Sequence, residues 1–402
     1  MDLFSKRFWF AFAVVGLVSS GILAAPLKLT LVKFDQDRRY VVVEKQVPAA
    51  RLAAPFKLTD DAGKSMACQW EQSGDGQVVR FVVLDVPAGQ APTFTLDHSD
   101  AAPSEKSGIT IKDLGGGSYS ITNADHEITR YNVGPLAEKF KKPYFYPVMA
   151  QGVSVTRAWP MEDKPNEAHD HPHHTGLYFA HGAVNGKDYW SKVQIVPKSL
   201  KTSAGPVCGH LMIENAWGPD MLESQDILIL DAGNDVVMDW SMTWKAPGSE
   251  PVALGKTKEG SFALRVATPL TSPDPGKKNQ TGRGTGKMID SFGNQDEEPI
   301  RPEKRPKDKQ PAAWADNYGV IGGKALGICF MNHPASYRFP TDWHVRNYGL
   351  FAANAFMLQE DTLKSEQPIT FKYRVYIHGG NPTAGKVAAV YAGYANNKVE
   401  GE

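Results

Sequence analysis

Hydrophobic and polar residues alternate along most of the chain with a period of two, which is the pattern of half-buried β-strands. The clearest case is 236–244, where one set of alternate positions is apolar and the other carries Asp239, Ser241 and Thr243. Shorter runs rich in Val, Thr, Ile and aromatic residues lie at 28–32, 40–43, 78–84, 93–96, 118–122, 153–157, 227–230 and 371–377. Helical composition is confined to the N-terminal segment and to 384–396. The chain is therefore predicted to be all-β.

Breaks in this pattern predict the domain organisation. The stretch 100–110 is polar and rich in turn-forming residues, so it is expected to link two β regions. We predict an N-terminal β-sandwich module over 25–105, a main domain over 106–385 that is a large antiparallel β-sandwich, and a C-terminal tail over 386–402. The segment 272–311 is crowded with Pro, Gly, Lys and Asp, and is predicted to be one long surface loop.

The N-terminus carries the features of a signal peptide. Lys6 and Arg7 precede an apolar run over 8–18, which small residues and a cleavage position after Ala24 follow. An uncleaved anchor is the alternative, because Ile22 is large for its position before the cut. No second apolar run approaches the ~20 residues needed to span a bilayer. The protein is expected to be exported, to the periplasm or the extracellular medium, with no membrane contact beyond this segment.

Charge and cysteine content exclude some function classes. The 44 Lys and Arg residues balance the 44 Asp and Glu residues, so no overall field favours nucleic acid as a partner. Cys68, Cys208 and Cys329 are far apart and form no zinc or redox motif. At most one disulfide can form, and we expect Cys208 and Cys329 to be buried as packing residues.

The strongest site signal is a histidine-rich stretch. Five of the eleven histidines lie within 169–181. Pro172 prevents a helix there, so the first four histidines are predicted to lie on a loop. From residue 177 the pattern alternates as a short strand, with Leu177, Phe179 and His181 on one side and Tyr178 and Ala180 on the other. Imidazoles at the mouth of a strand can bind metal, carry protons or bind hydroxyl groups.

A second group of polar residues lies at 343–348. If this segment is extended, His344, Arg346 and Tyr348 project from one face. A histidine, a guanidinium and a phenol together suit a polar or anionic substrate. The alternative is a charged network on a solvated face of a sheet.

A third group lies on a predicted strand over 257–267. Phe262 and Leu264 should face the core, which turns Glu259, Ala263 and Arg265 to the other side. Small residues between the two charges leave room for a ligand. Glu259 is then the best carboxylate for general base chemistry, with Arg265 or a histidine setting its pKa. An ordinary Glu–Arg pair on a sheet is the alternative.

Metal binding is a further alternative. Two or three imidazoles of the histidine-rich stretch, with Asp170 or Asp188, can hold Zn²⁺ or another borderline ion. No H-E-x-x-H or comparable spacing identifies a ligand set. No cofactor is firmly implied, and a divalent metal bound by His171, His173 and His344 stays open.

Three motifs, at 170–182, 258–260 and 343–354, together resemble an exported bacterial family long filed under the name methane oxygenase (PmoA-like) and now usually treated as of unknown function. The resemblance covers roughly residues 110 to 380. A methane monooxygenase subunit resembles a bundle of spanning helices, which this chain does not contain after its signal segment. The strand-rich body looks instead like the galactose-mutarotase type of supersandwich, shared by sugar epimerases and many polysaccharide lyases and hydrolases. This resemblance implies a carbohydrate or other small polar ligand.

The leading hypothesis is an exported carbohydrate-active enzyme with epimerase-, lyase- or hydrolase-like acid/base chemistry. Glu259 or a histidine would take a proton, a second histidine would return one, and Arg346 would stabilise the developing oxyanion. The predicted catalytic residues are His174, His181, Glu259, His344 and Arg346. The predicted substrate-binding residues are Tyr146, Arg157, His171, His173, Arg265, Tyr348 and Asn354. A non-catalytic glycan-binding module and a metal-dependent hydrolase or oxygenase are the alternatives.

Overall fold

Antiparallel strands make up most of the chain in the computed structural model, which describes residues 25–52, 54–99, 108–124, 126–274, 283–303, 305–306 and 309–401. The prediction of an all-β chain with a large antiparallel β-sandwich is confirmed. The first seven strands are β1 Leu27–Leu31, β2 Arg38–Pro48, β3 Phe56–Asp60, β4 Ser65–Met66, β5 Gln69–Ser73, β6 Gly76–Val86 and β7 Thr93–His98.

The remaining elements continue in chain order. The strands are β8 Ile109–Asp113, β9 Ser118–Asn123, β10 His126–Asn132, β11 Tyr144–Ala150, β12 Val153–Ser154, β13 Leu177–His181, β14 Ile195–Ala204, β15 Cys208–Trp217, β16 Met221–Leu230, β17 Val236–Lys245, β18 Val252–Leu254, β19 Gly260–Arg265, β20 Lys287–Asp290, β21 Trp314–Ile321, β22 Lys324–Asn332, β23 Asp342–Val345, β24 Leu350–Asn354, β25 Asp361–Leu363, β26 Ile369–Gly379 and β27 Val399–Glu400. The helices are α1 Pro135–Phe140, α2 Glu297–Ile300 and α3 Val387–Ala395, with a 3₁₀ turn at Thr268–Leu270.

Two large sheets form the main sandwich. One has the strand order β23-β24-β19-β13-β11-β10-β9-β8, with β12 paired to β11, and the other has the order β14-β15-β16-β17-β26-β22-β21-β20. Their facing sides bury a core in which Trp244 packs against Phe179 and Phe371, with ring centroids 5.1 and 4.8 Å apart. The alternation predicted for β17 is confirmed, since its apolar positions are buried while Asp239, Ser241 and Thr243 are only half-buried.

Two smaller sheets form the N-terminal module. One has the order β27-β1-β7-β3-β4 and the other the order β2-β6-β5, and their facing sides bury residues such as Leu29, Val41 and Phe81. The segment predicted as a C-terminal tail contributes α3 and the edge strand β27, whose Val399 pairs with Leu31 of β1. The last part of the chain is therefore structurally part of this module.

Strand β2 connects the N-terminal module to the main sandwich, because its alternate side chains point into two different cores. Val41 and Val43 face the core of the module, whereas Tyr40 and Val42 face α3 and the outer side of the eight-stranded sheet. Arg374 of that sheet donates to Tyr40 O at 3.0 Å. Both faces of β2 are thus buried, each against a different core.

Two predicted segments differ from the structure. The segment 272–311 is not one loop, because its described residues include β20, which pairs with β21, and the helix α2; residues 275–282 lie outside the described residues. The strand predicted over 153–157 ends at Ser154. Thr156 forms only an isolated bridge with Val266, since the chain there turns toward the histidine-rich loop.

The extended segment predicted over 343–348 is a hairpin. Strand β23 ends at Val345, and β24 begins at Leu350. Arg346 N donates to Leu350 O and Gly349 N donates to Arg346 O, both at 2.8 Å, and Gly349 has a φ of 99°. A glycine permits this turn because the left-handed region is open to it. Arg346 and Tyr348 therefore lie in the turn, while His344 lies on the strand.

Two predictions concern the cysteines and the membrane. Cys208 and Cys329 are buried free thiols, as predicted, and Cys68 is also a buried free thiol. Among the described residues, no helix has both the length and the apolar composition required of a membrane span. The predicted signal peptide, 1–24, lies outside the described residues.

Candidate functional site

The candidate site lies on the side of the nine-stranded sheet that faces away from the sandwich core. In β19, Phe262 points into the core, where its ring stacks on Tyr373 at 5.1 Å. Alternation turns Ala263 and Arg265 to the opposite side, as predicted from the sequence. Pairing across four strands places Tyr178, Ala263, Ala352 and His344 in one row on that side. All four of these side chains are buried, so the row is covered by other parts of the chain.

A buried arginine holds the histidine-rich loop at the edge of this surface. Arg157, whose side chain is 2% exposed, donates to the carbonyl oxygens of Trp159, Ala168, Asp170 and His171 at 2.9–3.1 Å. A loop has no regular backbone partners, so these bonds satisfy carbonyl groups that a strand would otherwise pair. Arg157, predicted to bind substrate, therefore positions the loop.

Asp170 and His171 form a hydrogen-bonded pair. His171 Nδ1 lies 2.9 Å from Asp170 Oδ2, while Asp170 Oδ1 accepts from Arg157 Nη1 at 2.5 Å and Arg265 Nη2 at 2.8 Å. Burial alone would raise the pKa of Asp170, but the bond with His171 and the charges of Arg265 and Arg157 hold it well below its usual range. The ionised carboxylate favours the tautomer with a proton on Nδ1. His171 Nε2 is then a proton acceptor on a side chain that is 39% exposed.

Aromatic rings fix the plane of the His171 imidazole. His171 stacks between His174 and Tyr348, with centroid distances of 4.9 and 5.0 Å and interplanar angles of 4° and 9°. His173 meets His174 edge-on at 4.5 Å. We call Asp170, His171, His173, His174 and Tyr348 the His171 cluster.

The environment keeps two imidazoles of the cluster neutral. Burial and the charge of Arg265, which donates to His174 Nδ1 at 3.2 Å, lower the pKa of His174 well below its usual range. Burial and the charge of Lys142 lower the pKa of His173 to about 4. Lys142 Nζ donates to the carbonyl oxygens of His173 and Trp190 at 2.9 and 2.7 Å, and burial lowers its pKa to about 7.

Arginines surround Tyr348. The Cζ atoms of Arg265, Arg346 and Arg283 lie 4.6, 5.4 and 5.9 Å from the centroid of its ring. Glu297 Oε1 lies 3.0 Å from Arg346 Nε. The predicted residues Arg265, Arg346 and Tyr348 are therefore brought together with the histidines.

Glu259 lies at the same surface, immediately before β19. Its carboxyl group is half-buried and accepts no hydrogen bond from the residues that the structure describes. Burial raises the pKa of Glu259, and Asp188 raises it further, while the charges of Lys258 and His171 act in the opposite direction. The raised pKa favours the protonated form of Glu259, and His171 lies close enough for its charge to act on this carboxyl group.

His181 is not part of this surface. It lies on the core side of β13, where its ring packs 4.8 Å from Phe356, and Nε2 bonds to Gly255 O at 3.0 Å. Burial lowers its pKa to about 4. The sequence analysis puts His181 in the cleft, but the alternation that places Tyr178 outside places His181 inside.

Three other predicted residues have structural partners away from the His171 cluster. His344 is buried and bonds through Nδ1 to Lys258 O at 2.7 Å, so it supports the segment before Glu259. Asn354 Nδ2 donates to Thr257 O at 2.8 Å and supports the same segment. Tyr146 is buried beside Glu162. Burial raises the pKa of its phenol, and the charge of Glu162 raises it further.

The three histidines considered as metal ligands from the sequence do not converge on one point. Among the residues that the structure describes, no three His, Cys, Asp or Glu side chains converge as metal ligands. His344 is turned to the Lys258 carbonyl, and His171 Nδ1 is engaged with Asp170. The residues present do not fit a divalent metal bound by His171, His173 and His344.

Sequence reasoning did not include two residues of the site. Asp170 was considered only as a metal ligand, although its position directly before His171 is a signal for an oriented acid–imidazole pair. No local sequence pattern could have identified Lys142, because His173 and Trp190, whose carbonyl groups it contacts, are 31 and 48 residues away in the sequence.

A cavity opens beside the cluster. Its volume is about 820 Å³, and Asn347 and Glu297, which contact Arg283 and Arg346, form part of its wall. Asp274, Asp296 and Glu298 line it together with Lys287 and with apolar residues such as Met288 and Pro299. The cavity is large enough for more than one sugar unit, since pockets for small ligands are typically about 300–1,000 Å³.

The fold is similar to those of solved carbohydrate-active enzymes. A glycosyl hydrolase family 38 protein from Enterococcus faecalis matches with a TM-score of 0.51 and 11% identity over 94% of this chain and 47% of its own. An α-mannosidase from E. faecalis V583 matches with a TM-score of 0.42 and 10% identity, over 94% and 46%. A family 36 α-galactosidase from Geobacillus stearothermophilus reaches 0.37 and 11%, over 69% and 41%.

These likenesses show the fold alone, and the chain spans about half the length of the first two structures. No curated protein matches the sequence significantly. A family model matches residues 118–392, which contain the whole His171 cluster, Glu259 and Arg346. The chain belongs to the family of unknown function DUF6807.

Proposed function

We propose that this protein is an exported carbohydrate-active enzyme that transfers protons to and from a sugar bound at the His171 cluster. The observation that carries the proposal is the Asp170–His171 pair, whose free Nε2 is exposed on the same surface as Glu259. His171 Nε2 takes a proton from a carbon or hydroxyl of the sugar, and the Glu259 carboxyl group gives its proton to the ring or leaving oxygen.

Two further groups stabilise the reacting sugar. Arg346, which is 31% exposed at the edge of Tyr348, stabilises the oxyanion that develops when the proton leaves. Asp170 stabilises the imidazolium that forms on His171, because Nδ1 already donates to its carboxylate. The chemistry is epimerase-, lyase- or hydrolase-like, and the cavity of about 820 Å³ beside the cluster takes the rest of an oligosaccharide.

The fold and the signal-peptide pattern support a sugar substrate outside the cytoplasm. The solved structure with a TM-score of 0.51 is described as a glycosyl hydrolase. The signal-peptide pattern of residues 1–24 supports export. The methane-oxygenase label of the sequence resemblance is less well supported, because the described histidines do not form the metal site that such chemistry would require.

The test is turnover of a panel of neutral and acidic oligosaccharides, followed by new reducing ends, unsaturated products or epimerised units. The His171→Asn variant keeps a donor near Asp170 but removes the proton acceptor. We expect its turnover to fall by about 10²- to 10⁴-fold while binding changes little. His169→Asn is the matched control, since His169 is on the same loop but stacks on Trp159 at 4.1 Å.

Two results would contradict the proposal. Wild-type turnover in His171→Asn would remove His171 from the chemistry. Binding of an oligosaccharide by the wild type without any turnover would instead indicate a glycan-binding module.

A further inference from the structure

We infer that the sugar recognised at the His171 cluster carries a carboxylate, so that the substrate class is a uronic acid–containing oligosaccharide. This inference rests on the proposed function and narrows it. It starts from the imbalance of charges around Tyr348, and it uses groups whose positions the described residues define.

Guanidinium groups outnumber the carboxylates that they contact. Among the described residues of the site, the ion pairs are Arg157 and Arg265 with Asp170, Arg346 and Arg301 with Glu297, Arg301 with Glu303, and Arg283 with Asp274, at N–O distances of 2.5–3.7 Å. Five guanidinium groups thus share four carboxylates. A surplus positive charge in a partly buried site favours an anionic ligand.

The surplus is local to Tyr348, where three guanidinium groups have their Cζ atoms 4.6–5.9 Å from the centroid of the ring. The wall of the neighbouring cavity carries Asp274, Asp296, Glu297 and Glu298 against Lys287, so the carboxylate of the ligand is expected beside Tyr348 rather than in the cavity.

Arg346 is the guanidinium best placed to meet the ligand. Arg157 and Arg265 are 2% and 1% exposed, whereas Arg346 is 31% exposed. Glu297 contacts Arg346 through Nε, and the described residues supply no hydrogen-bond partner to its two Nη atoms. A guanidinium with a free edge binds a planar carboxylate through two parallel hydrogen bonds.

A carboxylate at this position also explains how a histidine could act on a C–H bond. When Arg346 neutralises the carboxylate, the neighbouring carbon becomes more acidic, and its proton can move to His171 Nε2 while the electron pair moves into the carboxyl group. In an elimination, the electron pair returns to form a C=C bond as the bond to the leaving oxygen breaks, and that oxygen takes the proton of Glu259. In an epimerisation, the electron pair returns to the carbon, which takes the proton of Glu259 on its other face.

Paired ligands test this inference on the full-length protein. Oligosaccharides of glucuronate, galacturonate, mannuronate and guluronate are each compared by calorimetry with their carboxyl-reduced neutral counterparts, and a sulfated neutral oligosaccharide forms a third arm. We expect at least one uronate to bind about tenfold or more tightly than its neutral counterpart. Arg346→Gln should reduce that preference to less than about threefold.

Two variants separate recognition from stability. Arg346→Lys keeps the charge but not the planar fork, so it should keep part of the preference. Arg130→Gln is the matched control, because it breaks a surface Arg–Glu pair on the same sheet, to Glu127, and should keep the full preference. Thermal unfolding of each variant reports whether it is folded.

The outcomes distinguish this inference from the proposed function. Equal or tighter binding of neutral sugars, or a preference for sulfate over carboxylate, overturns the uronate inference and leaves the proposed function in place. A uronate preference that survives in Arg346→Gln overturns the role of Arg346. Binding of none of these glycans overturns the proposed function, and the uronate inference with it.

Discussion

Asp170 shows how much of this site depends on a single side chain. Its carboxylate accepts from two buried guanidinium groups and from His171, so it holds the loop and also orients the imidazole. Because these partners keep the pKa of Asp170 low, its carboxylate stays ionised across the physiological range. A carboxyl group that donates a proton is therefore expected to lie elsewhere.

In our proposal this proton donor is Glu259, and its raised pKa predicts how kcat/KM depends on pH. Burial and Asp188 raise its pKa, so its protonated form persists to higher pH than that of an ordinary Glu. If this form donates the proton, kcat/KM falls as pH rises through the Glu259 pKa. Glu259→Gln should remove this fall and lower kcat/KM by about 10²-fold or more.

Glu366→Gln is the control for this experiment, because Glu366 is exposed in the turn between β25 and β26. Its pH profile should match that of the wild type. An unchanged profile in Glu259→Gln would assign the titration to another group.

At the scale of elements, alternation along single strands separates the core from the site. Strands β13 and β19 send Phe179 and Phe262 into the sandwich and Tyr178 and Arg265 to the outer surface. The two faces should therefore respond differently to substitution, since one affects folding and the other affects the ligand.

Trp244 of β17 gives a prediction for the core face. Its ring is fully buried and lies about 5 Å from the rings of Phe179, Trp217 and Phe371. Trp244→Ala should lower the free energy of unfolding by about 3–5 kcal/mol, because it leaves a large cavity. Ser241→Ala, on the other face of the same strand, should change it by about 0.5 kcal/mol or less. Denaturant unfolding of both variants checks this, and similar losses would contradict the assignment of faces.

At the scale of the whole molecule, a charged network joins the N-terminal module to the main sandwich. His210 of β15 lies between Glu71 of β5, at 2.8 Å from Nδ1, and Asp226 of β16, at 3.1 Å from Nε2. Arg80 binds the same Glu71 oxygen at 2.8 Å. The contact between the two parts of the chain therefore contains a buried imidazole between two carboxylates.

This network predicts that stability depends on pH. Burial would lower the pKa of His210, but Asp226 and Glu71 raise it to about 9, above the value near 6.5 of an unfolded histidine. The stabilisation is fully present below about pH 6.5 and is lost as pH rises toward 9, by an amount on the order of 3 kcal/mol.

Unfolding free energies measured from pH 6 to 9.5 test this prediction. His210→Gln should show a much weaker dependence over this range. His126→Gln, at an exposed histidine of β10, should behave like the wild type. A wild-type dependence in His210→Gln would show that other groups control it.

Much of the site followed from local patterns in the sequence. Pro172 placed the first histidines on a loop, and alternation in β19 turned Arg265 and Phe262 to opposite sides, as the structure has them. One error came from geometry beyond that local pattern, because the turn at Gly349 separates His344 from Arg346 and Tyr348. The other went against the pattern, because His181 was assigned to the cleft although alternation puts it on the face of Phe179.

The sequence by itself determined the class of the fold, the alternation of buried and exposed positions along each strand, and the segments from which the site is built. These features depend on residues that are close together in the chain, where a period of two and the limits on Pro and Gly act directly. Only the tertiary structure decided that Asp170 rather than a metal orients His171, that Lys142 lies behind His173, and that Arg346 meets Tyr348. Those contacts join strands and loops far apart in sequence, and their register depends on how two whole sheets pack, which no local pattern contains.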